Sequence, residues 1–387
     1  MTQALCRVCA SPAMHTLYEM QSGYALTSLG QVYPGATRVW VCHGCAHLQT
    51  DEIANVAEYY DQHYNILVES EEDDQIYEVR DGQPVYRTAH QVAVLQAKLQ
   101  LPQGARLLDY GCAKSSTMQG LLKVRPDLQP HLFDVSERYR AFWANFVRPE
   151  QCAVYQPRPE WAGSFDVVTS FFSLEHIVAP LDSLQRIRQL IRPDGLFYCI
   201  VPNVQSNIAD FIVVDHVNHF TRSSLACLLG LAGFVVVEID AESHRGAFVV
   251  VALRSDDAVH SPVLADTEVA DTQVELTRIA AFWQTAAQRT RSYLKELPAD
   301  AQCAIYGAGF YGAFIATRLS LPEQALCFVD QNPHLQGRQL NGRPIVSPAA
   351  LPDSVDTLLV GLNPAHARQI VADIPALRDR PLRHFYL

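Results

Sequence analysis

Hydrophobic and polar positions change period several times along this chain. From Arg106 the apolar runs are short and nearly continuous: RLLDY, HLFD, FDVVTSFF and LFYCIVP. Runs of four to eight apolar residues bounded by turn signals are the mark of strands buried on both faces. Between them, MQGLLKV and LDSLQRIRQLI carry apolar positions at helical spacing, and RPDG reads as a turn before LFYCIVPN. Strands alternating with helices of this length predict βαβ units and a parallel sheet covered on both faces. Farther on, SSLACLLGLAGFVVVEIDAE reads as a helix and a strand, and AFVVVALR as a hairpin-like end. A polar stretch, SDDAVHSPVLADTEVADT, then separates this region from a long helix, VELTRIAAFWQTAAQRTRSYLKEL. A second βαβ pattern starts at Ala301 with CAIYGAGFYGAFIATRL, ALCFVDQNP and TLLVGLNP. Residues 51–100 read as helical, mixing aromatics with an acidic run whose charges belong on a solvated face. Of the tyrosines here, Tyr59, Tyr60, Tyr64 and Tyr86, Tyr64 is taken as a candidate for lining a pocket.

A chain of 387 residues accommodates two or three domains. The pattern divides it into a cysteine-bearing module over 1–60, a central α/β domain over 61–255, and a linker helix with a smaller α/β domain over 256–387. The fold class is α/β. The formal charge of −11 argues against a nucleic-acid partner, which requires a basic surface to neutralise phosphates. No apolar run reaches the roughly 20 residues needed to span a bilayer. The opening MTQALCRVCASPAM is not a secretory signal, since no basic stretch precedes an apolar core. The expectation is a cytoplasmic enzyme, a monomer or small homo-oligomer, acting on a small or nucleotide-linked molecule.

Six of the ten cysteines stand singly in apolar segments, where a free thiol behaves as a small hydrophobe. The other four form two pairs, Cys6-x-x-Cys9 and Cys42-x-x-Cys45. Each pair offers two thiolates from one knuckle, and two knuckles complete the tetrahedral sulfur shell that Zn²⁺ favours. With all ligands from protein the metal would be structural. His43 and His47 are substitute ligands that a four-cysteine shell does not need.

The strand at Arg106 ends in Asp109-Tyr-Gly111-Cys-Ala113-Lys-Ser115, and the next strand ends at Asp134. Small residues after the first strand let backbone approach a nucleoside closely. An acid at the end of the second can accept hydrogen bonds from a ribose diol. Together with FDVVTSFFSLEHI and RPDGLFYCIVPN, these segments resemble the class I methyltransferases, whose first motif is acidic-x-Gly-x-Gly-x-Gly. Ala113 and Ser115 stand where that motif has its later glycines. The resemblance implies S-adenosylmethionine as cofactor, bound by Asp109, Gly111, Ala113, Asp134, Ser173 and Glu175.

Downstream, Asp215-His216-Val-Asn-His219-Phe220-Thr resembles the Glu-His-x-x-Tyr-Phe segment of the zinc-containing sugar C-methyltransferases, which methylate nucleotide-linked keto-deoxysugars. The resemblance covers nearly the whole chain, with a four-cysteine module, a methyltransferase and a Rossmann-like domain in the same order. It implies His216 as the base that removes a proton from carbon α to a ketone. Asp215 falls on the family's Glu, and His219 is the next candidate base. His176 would contact the acceptor. Two positions depart: Val213 and His219 stand where the family has tyrosines. O-methylation of a sugar or small natural product is the alternative within the enzyme class.

In the last domain, Gly307-Ala-Gly309-Phe-Tyr-Gly312 opens a helix and Asp330 ends the next strand. That context suits a dinucleotide fingerprint and by itself suggests an NAD-dependent oxidoreductase. In the family resembled, the equivalent domain holds the nucleotide sugar, so Gly307, Gly309, Gly312, Asp330 and Asn363 are expected to bind acceptor. Purely structural use of these glycines, or a non-catalytic binding protein, completes the alternatives.

Overall fold

The structure is a computed structural model that describes residues 5–21, 23–54, 59, 74–80, 83–256, 266–298, 300–319, 324–378 and 380–387. The chain divides into two compact units. One comprises Met1–Thr16, Trp40–Ser206 and His216–Val274; the other comprises Leu17–Val39, Asn207–Asp215 and Glu275–Leu387. Tyr64, the tyrosine assigned to the acceptor, lies outside the described residues, as does Tyr60.

The amino-terminal strands are β1 (Met14–Met20), β2 (Tyr24–Leu26), β3 (Val32–Pro34), β4 (Thr37–Cys42) and β5 (Leu48–Thr50). β2 and β3 form a hairpin. The segment expected to be helical instead contains a second hairpin, β6 (Ile76–Arg80) with β7 (Gln83–Tyr86), before the helix Arg87–Lys98. The local signal was the Asp-Gly pair at 81–82 between IYEV and PVY, a frequent hairpin turn whose residues lie outside the described set.

The main sheet is built from β8 (Arg106–Tyr110), β9 (Gln129–Asp134), β10 (Cys152–Val154), β11 (Phe165–Phe171), β12 (Ile191–Pro202), β14 (Phe234–Asp240) and β15 (Ala247–Arg254). Its order is β10-β9-β8-β11-β12-β15-β14. Every neighbouring pair from β10 to β12 is parallel, and β15 alone runs against β12 and β14. The chain moves outward from β8 to β10 and then returns to β11 on the other side of β8. At such a reversal, here between β8 and β11, open α/β sheets bind ligands beyond the carboxyl ends of the strands. The Asp166 carboxylate fixes the start of the crossing by accepting from the Arg106 amide at 2.7 Å and from Arg192 Nε at 2.7 Å. The RPDG turn survives as a bulge within β12. The pairing steps from Phe165↔Ile191 to Val167↔Leu196, leaving residues 192–195 looped out with Asp194 at φ +60°.

A short strand, β13 (Asn218–His219), pairs antiparallel with β5, Asn218 opposite Gln49 and His219 opposite Leu48. It completes the sheet β1-β4-β5-β13. The next helix, Arg222–Leu231, starts at a reciprocal cap. The Thr221 hydroxyl accepts from the Ser224 amide at 3.1 Å, and Ser224 Oγ accepts from the Thr221 amide at 2.9 Å.

The long helix runs over Asp266–Glu296, starting inside the stretch expected to be a polar linker. After it come β16 (Cys303–Tyr306), β17 (Ala325–Val329), β18 (Gln339–Leu340), β19 (Arg343–Val346), β20 (Thr357–Val360) and β21 (Arg383–Tyr386). They form a sheet in the order β18-β19-β17-β16-β20-β21. All its pairings are parallel except that of β18 with β19. Among the described residues, no helix is long and apolar enough to cross a membrane.

Candidate functional site

The turn after β8 takes a conformation usually left to glycine. Gly111 has φ +72°, and Ala113 and Ser115 follow at +46° and +57°. At Gly111 glycine is required, because an added Cβ would stand 2.1 Å from Ser173 Oγ. Left-handed alanine and serine cost roughly 1 kcal/mol each, and the loop offsets this with hydrogen bonds. The Ala113 amide donates to Asp134 Oδ2 at 2.8 Å, the Ala113 carbonyl accepts from Trp143 Nε1 at 2.7 Å, and Ser115 Oγ donates to Asp109 Oδ2 at 2.5 Å. The Ser115 hydroxyl is therefore turned into the sheet.

Asp109 accepts a second bond from Thr169 Oγ1 at 3.2 Å and is fully enclosed. Both bonds tie it to the loop and to β11. Asp134 accepts from the amides of Ala113 and Ser136, one on each carboxylate oxygen. Each oxygen retains a second lone pair for a ribose hydroxyl. Burial pushes both carboxyls up, each to about 6.

The two knuckles meet as a group. Cys6 Sγ lies 3.7 Å from Cys45 Sγ, and Cys9 Sγ lies 3.6 Å from Cys42 Sγ. A tetrahedron with Zn–S bonds of about 2.3 Å has edges of about 3.8 Å, so the spacing fits zinc. Hydrogen bonds from Cys45, Cys6 and Cys9 push the Cys42 thiol far below its usual range. Cys227, on the helix Arg222–Leu231, hydrogen-bonds to Cys45 from outside the group. Neither histidine belongs to it. His43 stacks on His15 at 4.4 Å, and His47 Nε2 pairs with Asn218 Oδ1 at 3.2 Å.

The first knuckle also reaches the segment around His216. Arg7 Nη1 donates to the carbonyls of Thr50 at 2.9 Å and Val217 at 2.6 Å. Thr50 Oγ1 donates to the His216 carbonyl at 3.0 Å. Asn218 Nδ2 donates to the carbonyls of Leu174 at 3.3 Å and Ile177 at 2.7 Å, clamping the single turn Leu174–His176 that follows β11. Glu175, His176 and His216 consequently converge, their ligand-capable atoms all within 4.8 Å of one another. The rings of His176 and His216 meet edge to face at 4.6 Å. Arg7 and Asn218 escaped sequence reasoning. Asn218 lay inside the DHVNHF segment already singled out, and a cation within a Cys-x-x-Cys knuckle was the only sign for Arg7.

Two of the candidates are enclosed. His219 is completely buried on β13. Asp215 is equally buried, and both its oxygens accept from Ser28, from the amide at 2.6 Å and from Oγ at 2.7 Å. It anchors the turn after β2.

In the other unit, Asp330 accepts from the Ala308 amide at 2.8 Å and the Asn332 amide at 2.8 Å. A Cβ at Gly307 would meet the Gly361 carbonyl at 2.5 Å, and one at Gly312 would meet the Gly307 carbonyl at 1.9 Å. These two glycines serve close backbone packing, whereas a Cβ at Gly309 would meet nothing within 4 Å. Asn363 Oδ1 accepts from the Ala365 amide at 3.1 Å, closing its own turn.

Residues 83–239 match the family described as methyltransferase domain. The chain is 29% identical over 189 residues to the C-methyltransferase NovU of Streptomyces niveus, covering 45% of each protein. It is 31% identical over 102 residues to a ubiquinone biosynthesis O-methyltransferase of Xanthomonas axonopodis pv. citri (strain 306), covering 25% of this chain and 43% of that protein. The matches thus span less than half the length of these curated relatives. A solved CurJ carbon methyltransferase is 17% identical, covers 44% of this chain and 55% of its own, and has a TM-score of 0.35, too partial a likeness to bear on the site.

Proposed function

Because residues 83–239 match the family described as methyltransferase domain, we propose that the chain is a SAM-dependent methyltransferase that methylates a nucleotide-linked keto sugar at carbon α to the ketone. The observation that carries this reading is the position of His216, half-buried and beside His176 and Glu175, in the same unit as the Gly111 loop. A sulfonium methyl is already activated, so the protein must mainly align the acceptor and remove its proton. His216 takes the α-proton, and the resulting enolate carbon attacks the methyl in line. S-adenosylhomocysteine leaves with the electron pair of the broken S–CH₃ bond. Asp134 grips the ribose and Gly111 gives the nucleoside its room. Zinc on the four cysteines is structural in this reading, stabilising the sheet that ends in β13.

Methyl donor labelled in the methyl group, incubated with nucleotide-linked keto-deoxysugars, tests the reaction. The expected product carries a branched carbon by NMR and keeps its label in base, and His216→Gln lowers kcat about 10²–10⁴-fold. Label found only on oxygen would select O-methylation. One observation favours that second reading: Val213, where the resembled family has a tyrosine, is buried against Leu26 and offers no hydroxyl.

A further inference from the structure

Glu175, His176 and His216 put one carboxylate and two imidazoles within 4.8 Å of one another. Glu175 is 1% exposed, while both histidines remain open to solvent. The backbone carrying these three side chains is fixed by groups that are not donors themselves. Asn218 bonds the carbonyls on either side of Glu175 and His176, Thr50 bonds the carbonyl of His216, and Arg7 bonds that of Val217. Donors mounted on a fixed frame lose little entropy on closing around an ion.

We propose that Glu175, His176 and His216 form a second metal site, for a divalent transition cation such as Co²⁺, Ni²⁺, Mn²⁺ or Zn²⁺. Two imidazoles and one carboxylate suit this group of ions, which bind nitrogen and oxygen together. Three protein donors leave coordination positions open for water or an acceptor oxygen, unlike the closed four-thiolate shell. Bonds of about 2.1 Å need donor separations of about 3.4 Å, which rotation of the two part-exposed histidines can supply. Binding a cation uses the lone pair that His216 needs as a base, so the two states exclude one another. The site rests on the side-chain geometry and does not require the methyl-transfer reading.

The test uses the full chain with its four-cysteine site already filled with zinc. Titration with CoCl₂, followed by calorimetry and visible absorption, is expected to show one further Co²⁺ per chain without thiolate-to-cobalt charge-transfer bands. Glu175→Gln, His176→Ala and His216→Ala should each weaken that event roughly tenfold or more, with zinc content and Tm retained. Where an alanine variant fails to fold, His176→Gln and His216→Gln replace it. No further cobalt at millimolar concentration overturns the proposal, as does binding that survives all three substitutions. The readout is a metal count rather than turnover, so this site and the methyl-transfer reading can each fail alone.

Discussion

Asp134 and Asp330 do the same work on two different sheets. Each ends the second strand of its βαβ unit, accepts an amide from the preceding glycine turn, and accepts the amide two residues ahead of itself. The turns they hold differ. Around Gly111 the chain keeps alanine and serine in left-handed conformations and ties them to buried acids and a tryptophan. Around Gly307 and Gly312 it uses glycines because helix, strand and the Gly361 turn touch through their backbones. A glycine pattern therefore identifies where backbone must come close, without saying whether the neighbour is a ligand or the protein itself.

The sharpest way to break this contrast is Gly312→Ala. With a carbonyl 1.9 Å from the new Cβ, about 3 kcal/mol or more of stability should be lost from the carboxy-terminal unit. Chemical denaturation would show the loss. Donor binding should be unchanged wherever the variant stays folded, since none of these contacts involves the Gly111 loop.

Gly111→Ala is expected next, at about 2–3 kcal/mol, because Ser173 Oγ can rotate away but the positive φ remains. Here the donor should also cease to bind, as calorimetry with S-adenosylhomocysteine would report. Tight binding in this variant would remove the loop from the site.

A third effect is pH-dependent. Asp134 sits at about 6 in the free protein, and ribose hydroxyls donate best to its ionised form. Donor affinity should therefore rise with pH up to about 6 and level off above it. Below 6 it should fall up to tenfold per pH unit. A flat profile between pH 5 and 7.5 would mean that Asp134 does not receive the ribose.

The smallest effect is reserved for Gly309→Ala, with stability changed by no more than about 0.5 kcal/mol, since the added methyl meets nothing. If acceptor KM nevertheless rises while Tm holds, this turn is a binding surface and only its neighbours are scaffolding.

Many strands of the main sheet were legible because parallel strands buried on both faces read as unbroken apolar runs, as in RLLDY and FDVVTSFF. The four cysteines were legible by spacing, and the structure gathers them. The hairpin of β6 and β7 was not, because its acidic surroundings suggested a helix face and its two strands are only five and four residues long. The burial of Asp215 and His219 was illegible for a different reason. Neighbours in sequence point to different partners, and the strand β13 sends His219 into a buried sheet while His216 remains partly open. Such a two-residue strand leaves no periodicity to detect.

β13 has a further bearing on how the chain is made. The sheet begun by the first fifty residues is finished only by Asn218 and His219, and Arg7 waits for the carbonyl of Val217. At ribosomal speeds of about 5–20 residues per second, the gap is on the order of ten to thirty seconds. During that interval the edge of β5 lacks its partner strand. The sheet next to the two knuckles is therefore completed only by residues far downstream of them.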